Sequence, residues 1–425
     1  MKKLILSFIE KYLYRLATER LKNKETYIIA VTGSVGKTSS KEAIKIVLDE
    51  FFPGKVFATH GNMNDTIGLP MAVLGFDYLP ARNEWPKVFW EARKRAKSNK
   101  FPKYLLLEMG VDKPGEISYL TSLVTPDIAL ITNIGPAHLE NFGSLEGVLK
   151  EKTELFNALR ESGIAIYNHD DERLQKYSQK VKQNKISYGF SDGGTVKGKI
   201  VSADNKGTIL EVTSNGLKKQ MRFDVIGNHL LMAILSAMAV SQSLGLNFDK
   251  SLNALKKFVP LAGRMRLIPG IKSITIIDDS YNANPSSVLA ALETLDSLKS
   301  KGRKVAILGN MNELGKYEER AHELVAKVAA KVCDQLVFVG SNAQLMGKVA
   351  KENALRGKKL TINIFDTPSR AIISLDEIIK ENDTILVKAS QNKMRFEKIV
   401  EALMLEPEKA KTLLVRQDKR WNKKV

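Results

Sequence analysis

The sequence predicts an α/β protein with two successive open sheets of mostly parallel strands, preceded by one amphipathic helix. Three observations support this prediction. Short β-branched runs alternate with helical patterns, a glycine-containing loop joins the first complete run to a helix, and the alternation restarts after residues 261–267. The 425 residues leave room for two or three domains of roughly 150 residues with a sizeable core.

The N-terminal segment, residues 1–26, is predicted to be a short amphipathic helix. Residues 1–24 hold seven Lys or Arg and two Glu. Two interpretations stay open: the apolar stripe packs on the domain that follows, or the helix rests on a membrane surface with its basic residues facing lipid. The apolar residues that recur at helical spacing are Leu4, Ile5, Phe8, Ile9, Tyr12, Leu13 and Leu16.

A first sheet is predicted for the domain 27–262. Residues 185–225 carry six glycines between short strand-like pieces and are expected to form a small β excursion within this domain. A helix is expected at 229–246. The segment Leu261–Leu267, which contains Gly263, is predicted to be an inter-domain joint. The expected strands of the first sheet are Tyr27–Thr32, Tyr104–Glu108, Ile128–Asn133 and Ile164–Asn168.

A second sheet is predicted for the domain 263–425, because β-branched runs and helical patterns alternate again there. The basic tail from Glu408 is expected to be a helix end followed by a solvated terminus. The expected strands are Ser273–Asp278, Lys304–Leu308, Gln335–Val339, Leu360–Phe365 and Thr384–Val387.

Composition excludes several classes of protein. With 44% hydrophobic and 27% charged residues, 28 Gly and 13 Pro, the chain is neither disordered nor collagen-like nor a disulfide scaffold. The single cysteine, Cys333, excludes an internal disulfide and a cysteine-based zinc ribbon, and it fits a cytoplasmic location. No run approaches the ~18 apolar residues of a membrane span. The net charge of +19 favours anionic partners: nucleotides, phosphosugars, anionic lipid or nucleic acid.

The sharpest motif runs from Tyr27 to Ser39, where a buried strand enters a glycine loop and Lys37-Thr38 opens a helix. Glycines allow backbone N–H groups to curl around phosphate oxygens, the lysine can reach the β- and γ-phosphates, and the threonine hydroxyl suits Mg²⁺. Val31 stands where the usual eight-residue pattern has its first glycine. A strand is predicted before this loop and a helix after it, as in known phosphate loops, and this arrangement argues against a chance match to the motif. The expected nucleotide-binding residues of the loop are Gly33, Ser34, Gly36, Lys37, Thr38 and Ser39.

Three further residues are candidates for metal or phosphate chemistry. Glu108 ends an apolar strand, at the sheet edge where ligands are commonly presented. His138 lies just past another strand, and Lys152 lies on the helix that opens at about Ser144. Taken one at a time, each also has an ordinary structural interpretation, and spacing alone assigns no special role to Lys152.

Several blocks in order resemble the Mur ligases, and within that family the branch that adds D-alanyl-D-alanine to a peptidoglycan-precursor peptide. The resemblance covers about residues 27 to 405. The blocks that follow the phosphate loop are Gly61-Asn-Met-Asn-Asp-Thr-Ile-Gly-Leu-Pro70, Glu108-Met-Gly110, Ala137-His-Leu-Glu-Asn-Phe-Gly-Ser-Leu-Glu-Gly147, Asp278-Asp-Ser-Tyr-Asn-Ala-Asn-Pro285, Leu308-Gly-Asn-Met-Asn-Glu-Leu-Gly315 and Leu386-Val-Lys-Ala-Ser390.

The resemblance implies a central P-loop ATPase-type domain followed by a Rossmann-like C-terminal domain, in a monomer that closes around ATP. It implies that the carboxylate of an anionic muramoyl-peptide precursor attacks the γ-phosphate of ATP, giving an acyl phosphate and ADP. The amine of D-alanyl-D-alanine then displaces phosphate through a tetrahedral intermediate. Charge on the transferring phosphoryl group must be neutralised by metal and fixed cations.

The resemblance also implies roles for particular residues. Thr38 and Glu108 would hold one Mg²⁺, His138 a second, and Lys152 would be carbamylated and become an anionic oxygen ligand. The nucleotide contacts implied for the C-terminal domain are Arg264, Asp279 and Asn282. The substrate-side residues implied are Asn62, Asn64, Lys388 and Ser390. The implied catalytic set is Lys37, His138, Lys152 and Arg264.

The sequence also departs from the family pattern. The phosphate loop begins at Gly33 after only a helix, so the family's separate uridine-nucleotide domain is missing from this sequence. Three explanations stay open: another surface of this chain recognises the uridine nucleotide, a partner chain supplies that recognition, or the acceptor is different, for example lipid-linked. Leu230 and Ala233 replace asparagines that touch adenine in the family, which predicts looser base selectivity. Asn310 and Ala389 replace an Asp and a Gly, and an active enzyme is still expected.

Other functions fit the sequence less well. A folylpolyglutamate synthase is not expected to carry the Asp278–Pro285 block, and the Mur-like partner of a glutamine amidotransferase usually has a four-cysteine zinc ribbon. A non-catalytic nucleotide-binding scaffold would not need the whole set of catalytic residues. Nucleic-acid binding is not expected, because the positive charge is spread along the chain without a nucleic-acid module.

Overall fold

The computed structural model describes residues 2–22, 25–61, 63–98, 100–135, 139–312, 314–357, 359–390, 394–417 and 421. The chain folds into two compact units. The first comprises Met1–Lys199, Leu210–Met221 and His229–Phe258, and the second Ile200–Ile209, Arg222–Asn228 and Val259–Val425. The predicted domain limits at 26/27 and 262/263 remain a prediction. Among the described residues, no helix has the length and apolar character needed to cross a membrane.

A nine-stranded sheet has the strand order β2-β3-β1-β4-β5-β6-β7-β8-β9. From β2 to β7 in this order, neighbouring strands pair in parallel. The strand bounds are β1 Tyr27–Thr32, β2 Val56–Ala58, β3 Tyr104–Glu108, β4 Ile128–Ile131, β5 Ile164–Asn168, β6 Asn184–Gly189, β7 Val196–Asp204, β8 Gly207–Ser214 and β9 Leu217–Phe223.

The central strands of this sheet are the apolar runs that the sequence marks. β3 and β4 are buried along their whole length, as parallel strands covered on both faces must be. The four predicted strands are confirmed, although β4 ends two residues early. The predicted β excursion at 185–225 forms strands β6 to β9 of this sheet. Two parts of it, Ile200–Ile209 and the stretch that begins at Arg222, are grouped with the second unit, so its predicted place within the first domain is not confirmed. The three-residue strand β2 was missed because it is too short to show a pattern.

Ten helices are described over residues 2 to 255. The predicted helix at 229–246 is confirmed as α9, which ends before the left-handed Gly245 (φ 64°). The helix bounds are α1 Lys2–Leu21, α2 Lys37–Phe51, α3 Gly68–Val73, α4 Trp85–Ala96, α5 Glu116–Leu123, α6 Leu139–Phe142, α7 Leu145–Asn157, α8 Glu172–Ser178, α9 Asn228–Ser243 and α10 Phe248–Leu255.

Helix α1 packs its apolar stripe on α3, α4 and α5, which confirms the first of its two predicted interpretations. Ile9, Leu13 and Leu16 are buried in the core of the first unit. At the other end of the stripe Ile5 and Phe8 are exposed, by 56% and 64%. The packed part of α1 is therefore integral to the first unit, while its first turns extend beyond the core.

The second unit contains a six-stranded sheet of order β10-β11-β15-β12-β13-β14. All its pairs are parallel except β10 with β11. The non-consecutive order requires crossovers and produces an open, doubly wound sheet, as predicted. The strand bounds are β10 Arg266–Pro269, β11 Thr275–Asp278, β12 Lys304–Gly309, β13 Gln335–Val339, β14 Thr361–Phe365 and β15 Thr384–Lys388.

The predicted joint at 261–267 becomes a tight turn followed by β10. Gly263 has φ 68°, and a Cβ there would lie 2.8 Å from the backbone nitrogen of Tyr281, so only glycine fits. The helices of this unit cover the sheet. Their bounds are α11 Pro285–Ser297, α12 Glu318–Val332, α13 Ala343–Glu352, α14 Pro368–Ile378, α15 Glu397–Leu403 and α16 Ala410–Leu413.

Candidate nucleotide and metal site

The phosphate loop lies between the end of β1 and the start of α2. Gly33 has φ 144°, and a Cβ there would lie 1.9 Å from Thr132 Oγ1; Gly36 is left-handed at φ 85°. No side chain caps the N-terminus of α2. The backbone N–H groups of this helix end and its positive dipole end together suit a phosphate group.

Residues just past β4 hold the loop in shape. The Asn133 carbonyl accepts a hydrogen bond from the Ser34 N–H (3.0 Å), and Asn133 Oδ1 accepts one from the Val35 N–H (2.8 Å). The Thr132 hydroxyl donates to the Val35 carbonyl (2.6 Å), and Ser34 Oγ exchanges hydrogen bonds with the backbone of Gly135. The sequence assigned Thr132 and Asn133 to a strand, and this supporting role was missed.

The two polar residues at the start of α2 point to different partners. Lys37 Nζ donates to the Gly33 carbonyl (2.7 Å), so its ammonium group stays at the loop. The Thr38 hydroxyl donates to Glu108 Oε1 (3.0 Å). Ser39 is buried on the same turn. The loop and the carboxylate at the end of β3 therefore lie together, and the two side chains that the family resemblance implies as Mg²⁺ ligands are within hydrogen-bond distance.

Glu108 is buried, with 2% of its surface exposed. Its Oε1 accepts hydrogen bonds from Thr38 Oγ1 and from Asn64 Nδ2, both at 3.0 Å. Its Oε2 accepts none among the described residues and lies 3.4 Å from Lys41 Nζ. A buried carboxylate oxygen without a hydrogen-bond donor, next to a threonine hydroxyl at a phosphate loop, fits a hard divalent cation.

The protein ligands of such a cation are few. In the part of the chain that the structure describes, no group of three or more His, Cys, Asp or Glu residues could hold a metal. Mg²⁺ commonly binds through one or two protein oxygens and completes its shell with phosphate and water. Thr38 and Glu108 meet that requirement. His138, predicted as a second ligand, lies outside the described residues, as does Asn62 on the substrate side.

Lys152 lies on α7 with 3% of its surface exposed. Burial, followed by the positive charge of Lys37, lowers the pKa of Lys152 to about 7, although Glu151 and Asp112 act in the opposite direction. A substantial fraction of its amine is therefore neutral near pH 7. A neutral amine is the form that can react with carbon dioxide, so this environment suits the implied carbamylation.

Asn64 connects its loop to the Glu108 carboxylate. In addition to its side-chain bond to Glu108, its carbonyl accepts a hydrogen bond from the Gly110 N–H (2.8 Å). A Cβ at Gly110 would lie 2.8 Å from Asn64 Nδ2, so the Glu108-Met-Gly110 block needs its glycine for this approach. The structure thus explains the spacing of two motifs that the sequence could only place in order.

The predicted residues of the second unit cluster at the C-terminal ends of β11 and β15. Lys388 Nζ donates to Asp279 Oδ2 (2.5 Å) and to the Asn282 carbonyl (2.9 Å). Ser390 Oγ donates to the Ala283 carbonyl (2.8 Å) and accepts from the Asn312 N–H (2.8 Å). Lys388 and Ser390 are almost fully buried, and they hold the residues after β11 in place.

Arg264 lies beside this cluster on the turn after the joint. Its guanidinium carbon is 4.4 Å from the centroid of the Tyr281 ring, a cation–π contact that fixes the side chain. The adjacent Met265 has φ 54°, and its N–H donates to Asp279 Oδ1 (3.2 Å). Sequence reasoning did not identify Tyr281 or Met265, because both contacts depend on the turn geometry.

Asp278 is a further residue of this turn that sequence reasoning missed. It accepts hydrogen bonds from the N–H groups of Gly263 and Ser280, at 3.0 and 3.1 Å. Its complete burial is the main cause that raises the pKa of Asp278, to about 6. The paired aspartates of the Asp278–Pro285 block therefore have different partners, and each ties the turn at 263–265 to β11.

The departures from the family pattern fall in ordered surroundings. Asn310 Nδ2 donates to Ser341 Oγ (2.7 Å), and its Oδ1 accepts from the Asn342 N–H (3.2 Å). Leu230, Ala233 and Ala389 are buried, and Ala389 belongs to the apolar core of the second unit. Each of these substitutions is compatible with the local packing.

Comparison with known proteins gives matches over both halves of the chain. A family profile described as "Mur ligase middle domain" matches residues 31–241, and one described as "Mur ligase, glutamate ligase domain" matches 263–391. The UDP-N-acetylmuramoyl-tripeptide–D-alanyl-D-alanine ligase of Bacillus subtilis is 32% identical over 398 residues, which cover 93% of this chain and 79% of that protein.

Two solved structures are similar in fold as well as in sequence. MurF from Thermotoga maritima in complex with ADP is 28% identical, with a TM-score of 0.76 over 94% of this chain and 84% of that one. MurF from Acinetobacter baumannii is 25% identical, with a TM-score of 0.74 over 91% and 79% of the two chains.

The two α/β units, the phosphate loop and the matches define an ATP-dependent ligase that forms carbon–nitrogen bonds. The chain belongs to the Mur ligase family. Its similarity to a folylpolyglutamate synthase from Thermotoga maritima, at 14% identity and a TM-score of 0.63, shows a shared fold alone.

Proposed function

We propose that this chain joins D-alanyl-D-alanine to the terminal carboxylate of a UDP-linked muramoyl tripeptide, with ATP as the energy source. The observation that carries the proposal is the shared carboxylate of Glu108, which joins Thr38 of the phosphate loop to Asn64 of the substrate-side segment. The names of the matching relatives supply the substrates. An anionic precursor also suits a chain of net charge +19.

The first unit would bind the phosphates of ATP through the N–H groups of the loop and the Lys37 ammonium. Mg²⁺, held by Thr38 and Glu108, would supply positive charge against the transferring phosphoryl group. The acceptor carboxylate attacks the γ-phosphorus, the bond to the β–γ bridging oxygen breaks, and ADP leaves with the bond electrons. The amine nitrogen of D-alanyl-D-alanine then attacks the acyl carbon, phosphate leaves, and the nitrogen loses one proton.

Lys152 would act after carbamylation. Its neutral amine attacks the carbon of carbon dioxide, a C–N bond forms, and one proton is released, which leaves an anionic carbamate in place of a cation. The lowered pKa of Lys152, caused first by burial, supports this step because it supplies the neutral amine near pH 7. The second metal, His138 and the carbamate remain proposals drawn from the family resemblance.

For the second unit we propose the roles that the family resemblance gives. The nucleotide would be contacted by Arg264, Asp279 and Asn282. The incoming amine would be faced by Lys388 and Ser390. The support is their grouping at one sheet edge, where the Asp279–Lys388 ion pair is almost fully buried. Because the ammonium of Lys388 is already hydrogen-bonded twice, its proposed effect on the amine is mainly to order the 279–283 segment.

The deciding experiment measures phosphate release from ATP and Mg²⁺ with D-alanyl-D-alanine and either of two acceptors. One acceptor is the UDP-linked muramoyl tripeptide, and the other is the same peptide without UDP. Turnover that requires the UDP-linked acceptor supports the proposal. Equal turnover with both would replace it with a ligase for a lipid-linked or free peptide acceptor. Absence of turnover with both, when ADP still binds, would favour a nucleotide-binding scaffold.

We also propose peripheral contact between the surface of α1 and α4 and an anionic membrane. The observation is an outer face of exposed apolar and basic side chains: Ile5, Phe8, Lys11, Arg15, Trp90 and Lys94. Phe8 stacks on Tyr12, which packs edge-on against Phe89, and the Lys94 ammonium lies 5.6 Å from the Trp90 ring centroid. Exposed aromatic rings beside lysines are typical of interfacial helices.

The membrane proposal is tested by co-sedimentation with vesicles of phosphatidylglycerol and phosphatidylcholine. The full chain should sediment with anionic vesicles and remain in solution with pure phosphatidylcholine. Phe8→Asp combined with Trp90→Asp should abolish sedimentation, while Ile373→Asp, at a site 82% exposed in the second unit, should not. Equal sedimentation of the wild type and the double variant would refute the proposed surface.

A further inference from the structure

Helix α2 carries a lysine whose side chain is completely buried. Lys41 lies one turn beyond Lys37 and has a side-chain exposure of 0%. Its ammonium donates to the Thr59 carbonyl (2.6 Å) and lies 3.4 Å from Glu108 Oε2 and 3.3 Å from Glu42 Oε1. A lysine is rarely buried to this extent unless its charge is paired, so the burial of Lys41 indicates a specific role for its ammonium group.

Lys41 reaches Glu108 in two ways. Its charge faces Oε2, the carboxylate oxygen that accepts no hydrogen bond among the described residues. It also holds the carbonyl of Thr59, whose hydroxyl oxygen accepts the Glu108 N–H (3.0 Å) and whose own N–H donates to the Leu106 carbonyl (3.0 Å). The backbone and the side chain of Glu108 therefore both depend on this ammonium group.

The other carboxylate oxygen of Glu108 is held from the opposite side. Oε1 accepts from Thr38, at the start of α2, and from Asn64, in the substrate-side segment. Lys41 and Thr38 lie on the same helix three positions apart, so one rigid element fixes both oxygens. This arrangement leaves the carboxylate few alternative orientations.

We propose that Lys41 is a positioning residue that orients the Glu108 carboxylate for the nucleotide-bound metal ion. The inference rests on the proposed function, since it assumes that the phosphate loop binds a nucleotide together with Mg²⁺. Lys41 has no exposed surface with which to touch the nucleotide, so its effect on the site passes through its neighbours Glu108 and Thr59. A methionine of similar length would fill its volume, but it would leave Glu108 Oε2 without the facing cation and the Thr59 carbonyl without this hydrogen-bond donor.

The test is the affinity of the full chain for ADP, measured by calorimetry with Mg²⁺ and again with excess EDTA. The ratio of the two dissociation constants gives the gain from the metal ion. Lys41→Met should reduce this gain by roughly 10- to 100-fold, the usual effect of losing a partner of a metal ligand. The affinity in EDTA should stay within about threefold, because the phosphate loop itself is unchanged. A preserved gain in Lys41→Met would overturn the inference.

The matched control is Lys45→Met on the same helix, where the lysine is 38% exposed and pairs with Asp49. It should leave both affinities unchanged. If the wild type itself shows no gain from Mg²⁺, the proposed nucleotide site has failed, and this outcome is distinct from failure of the role of Lys41. Reduced affinity in EDTA to the same degree as with Mg²⁺ would indicate a merely structural lysine and would also overturn the inference.

A second comparison covers the case in which Lys41→Met alone does not fold. Glu108→Gln and the double variant Glu108→Gln with Lys41→Met should show the same small gain from Mg²⁺, because Lys41 acts through the Glu108 charge. The double variant should fold even where Lys41→Met alone does not, since it removes the buried negative charge that the single variant leaves without its cation. A further loss of the metal-dependent gain in the double variant would contradict a role through Glu108.

Discussion

At the scale of single residues, burial decides what the charged groups of the site can do. Lys37, at the loop, donates to a backbone carbonyl, whereas Lys152 is buried and has a pKa lowered to about 7, first by burial. The sequence placed Lys37 in the phosphate loop, and the family resemblance implied a carbamate at Lys152, but neither could show which ammonium group is buried. Lys41 was assigned no role, because in the sequence it is an ordinary helix lysine next to a glutamate.

The buried Lys152 makes stability depend on pH. Because its pKa is lowered from 10.5 to about 7, the unfolded chain binds a proton between these values that the folded chain does not. The free energy of unfolding should therefore rise with pH across this window, by at most about 1.4 kcal/mol per pH unit. Chemical unfolding in buffers free of carbon dioxide would measure it. Lys152→Met should lack this rise, and parallel curves would contradict the assignment.

The proposed carbamate of Lys152 has a chemical test. Lys152→Ala should lower the ligase turnover number sharply, because the anionic oxygen ligand is lost. Acetate or formate, added at increasing concentration, should restore part of the rate by occupying the space of the carbamate. Turnover measured against carboxylate concentration checks this, and full activity of the variant without any added carboxylate would refute the ligand role.

The two loop glycines offer a matched pair of substitutions. Both have positive φ, but a Cβ meets Thr132 Oγ1 at 1.9 Å at Gly33 and has nothing closer than 3.9 Å at Gly36. Gly33→Ala should abolish ADP binding, because the loop cannot keep its shape. Gly36→Ala should cost about 1–3 kcal/mol of backbone strain and retain measurable binding. Calorimetric titration with ADP compares the two variants. Equal losses of ADP affinity would mean that backbone strain, and not the clash with Thr132, causes the loss of binding.

At the scale of elements, the sequence predicted best where a run was long, apolar and buried. β1 and β3 match their predicted bounds, because continuous apolar runs suit strands covered on both faces. The predicted strand at 128–133 ended at Ile131, because Thr132 and Asn133 instead make hydrogen bonds to the phosphate loop. The end of this strand therefore depends on contacts with a loop about a hundred positions earlier in the chain, and no local sequence pattern indicates it.

Helix α1 provides a stability prediction at this scale. Leu13 is completely buried on the face that meets α3 and α4, so Leu13→Ala should lower the free energy of unfolding of the first unit by about 2–5 kcal/mol. Phe8, 64% exposed on the same helix, is the control, and Phe8→Ala should stay within about 0.5 kcal/mol. Urea unfolding monitors both. A small effect of Leu13→Ala would mean that α1 is only loosely attached.

Helix α12 shows how a buried histidine supports a loop of the second unit. His322 Nε2 accepts the Met311 N–H (2.9 Å), and burial lowers the pKa of His322 below its ordinary value of 6.5. The unfolded chain therefore binds the proton first, and this unit should lose stability as pH falls below about 6.5. His322→Gln should lose less over the same range in urea unfolding. Identical pH dependence of the two proteins would contradict this.

At the scale of the whole molecule, charge and topology have separate consequences. The net charge of +19 concerns association with anionic substrates and says nothing about the fold. The two sheets each place their candidate residues at the C-terminal ends of parallel strands, which is where open α/β sheets bind ligands. Motifs that are scattered in the sequence therefore meet at two sheet edges.

The overall charge predicts a salt dependence of the reaction. The ratio kcat/KM for the anionic acceptor should fall by several-fold between about 50 mM and 500 mM NaCl, since the Debye length shortens from well over 10 Å to a few Å. The value of kcat should change much less, because bound substrate is no longer steered. Initial rates at several salt concentrations check this, and a salt-independent kcat/KM would show that long-range steering is unimportant here.

The α/β class, most of the strands, the phosphate loop and the family resemblance could all be inferred from the sequence alone. These depend on local runs and on motifs that are continuous in the chain. Which side chains meet could not be inferred from the sequence: Lys41 lies beside Glu108, Thr132 is hydrogen-bonded to Val35, and Asp278 to Gly263. This is because burial, pKa shifts and hydrogen-bond partners arise from elements far apart in sequence, which each sheet brings together at its own edge.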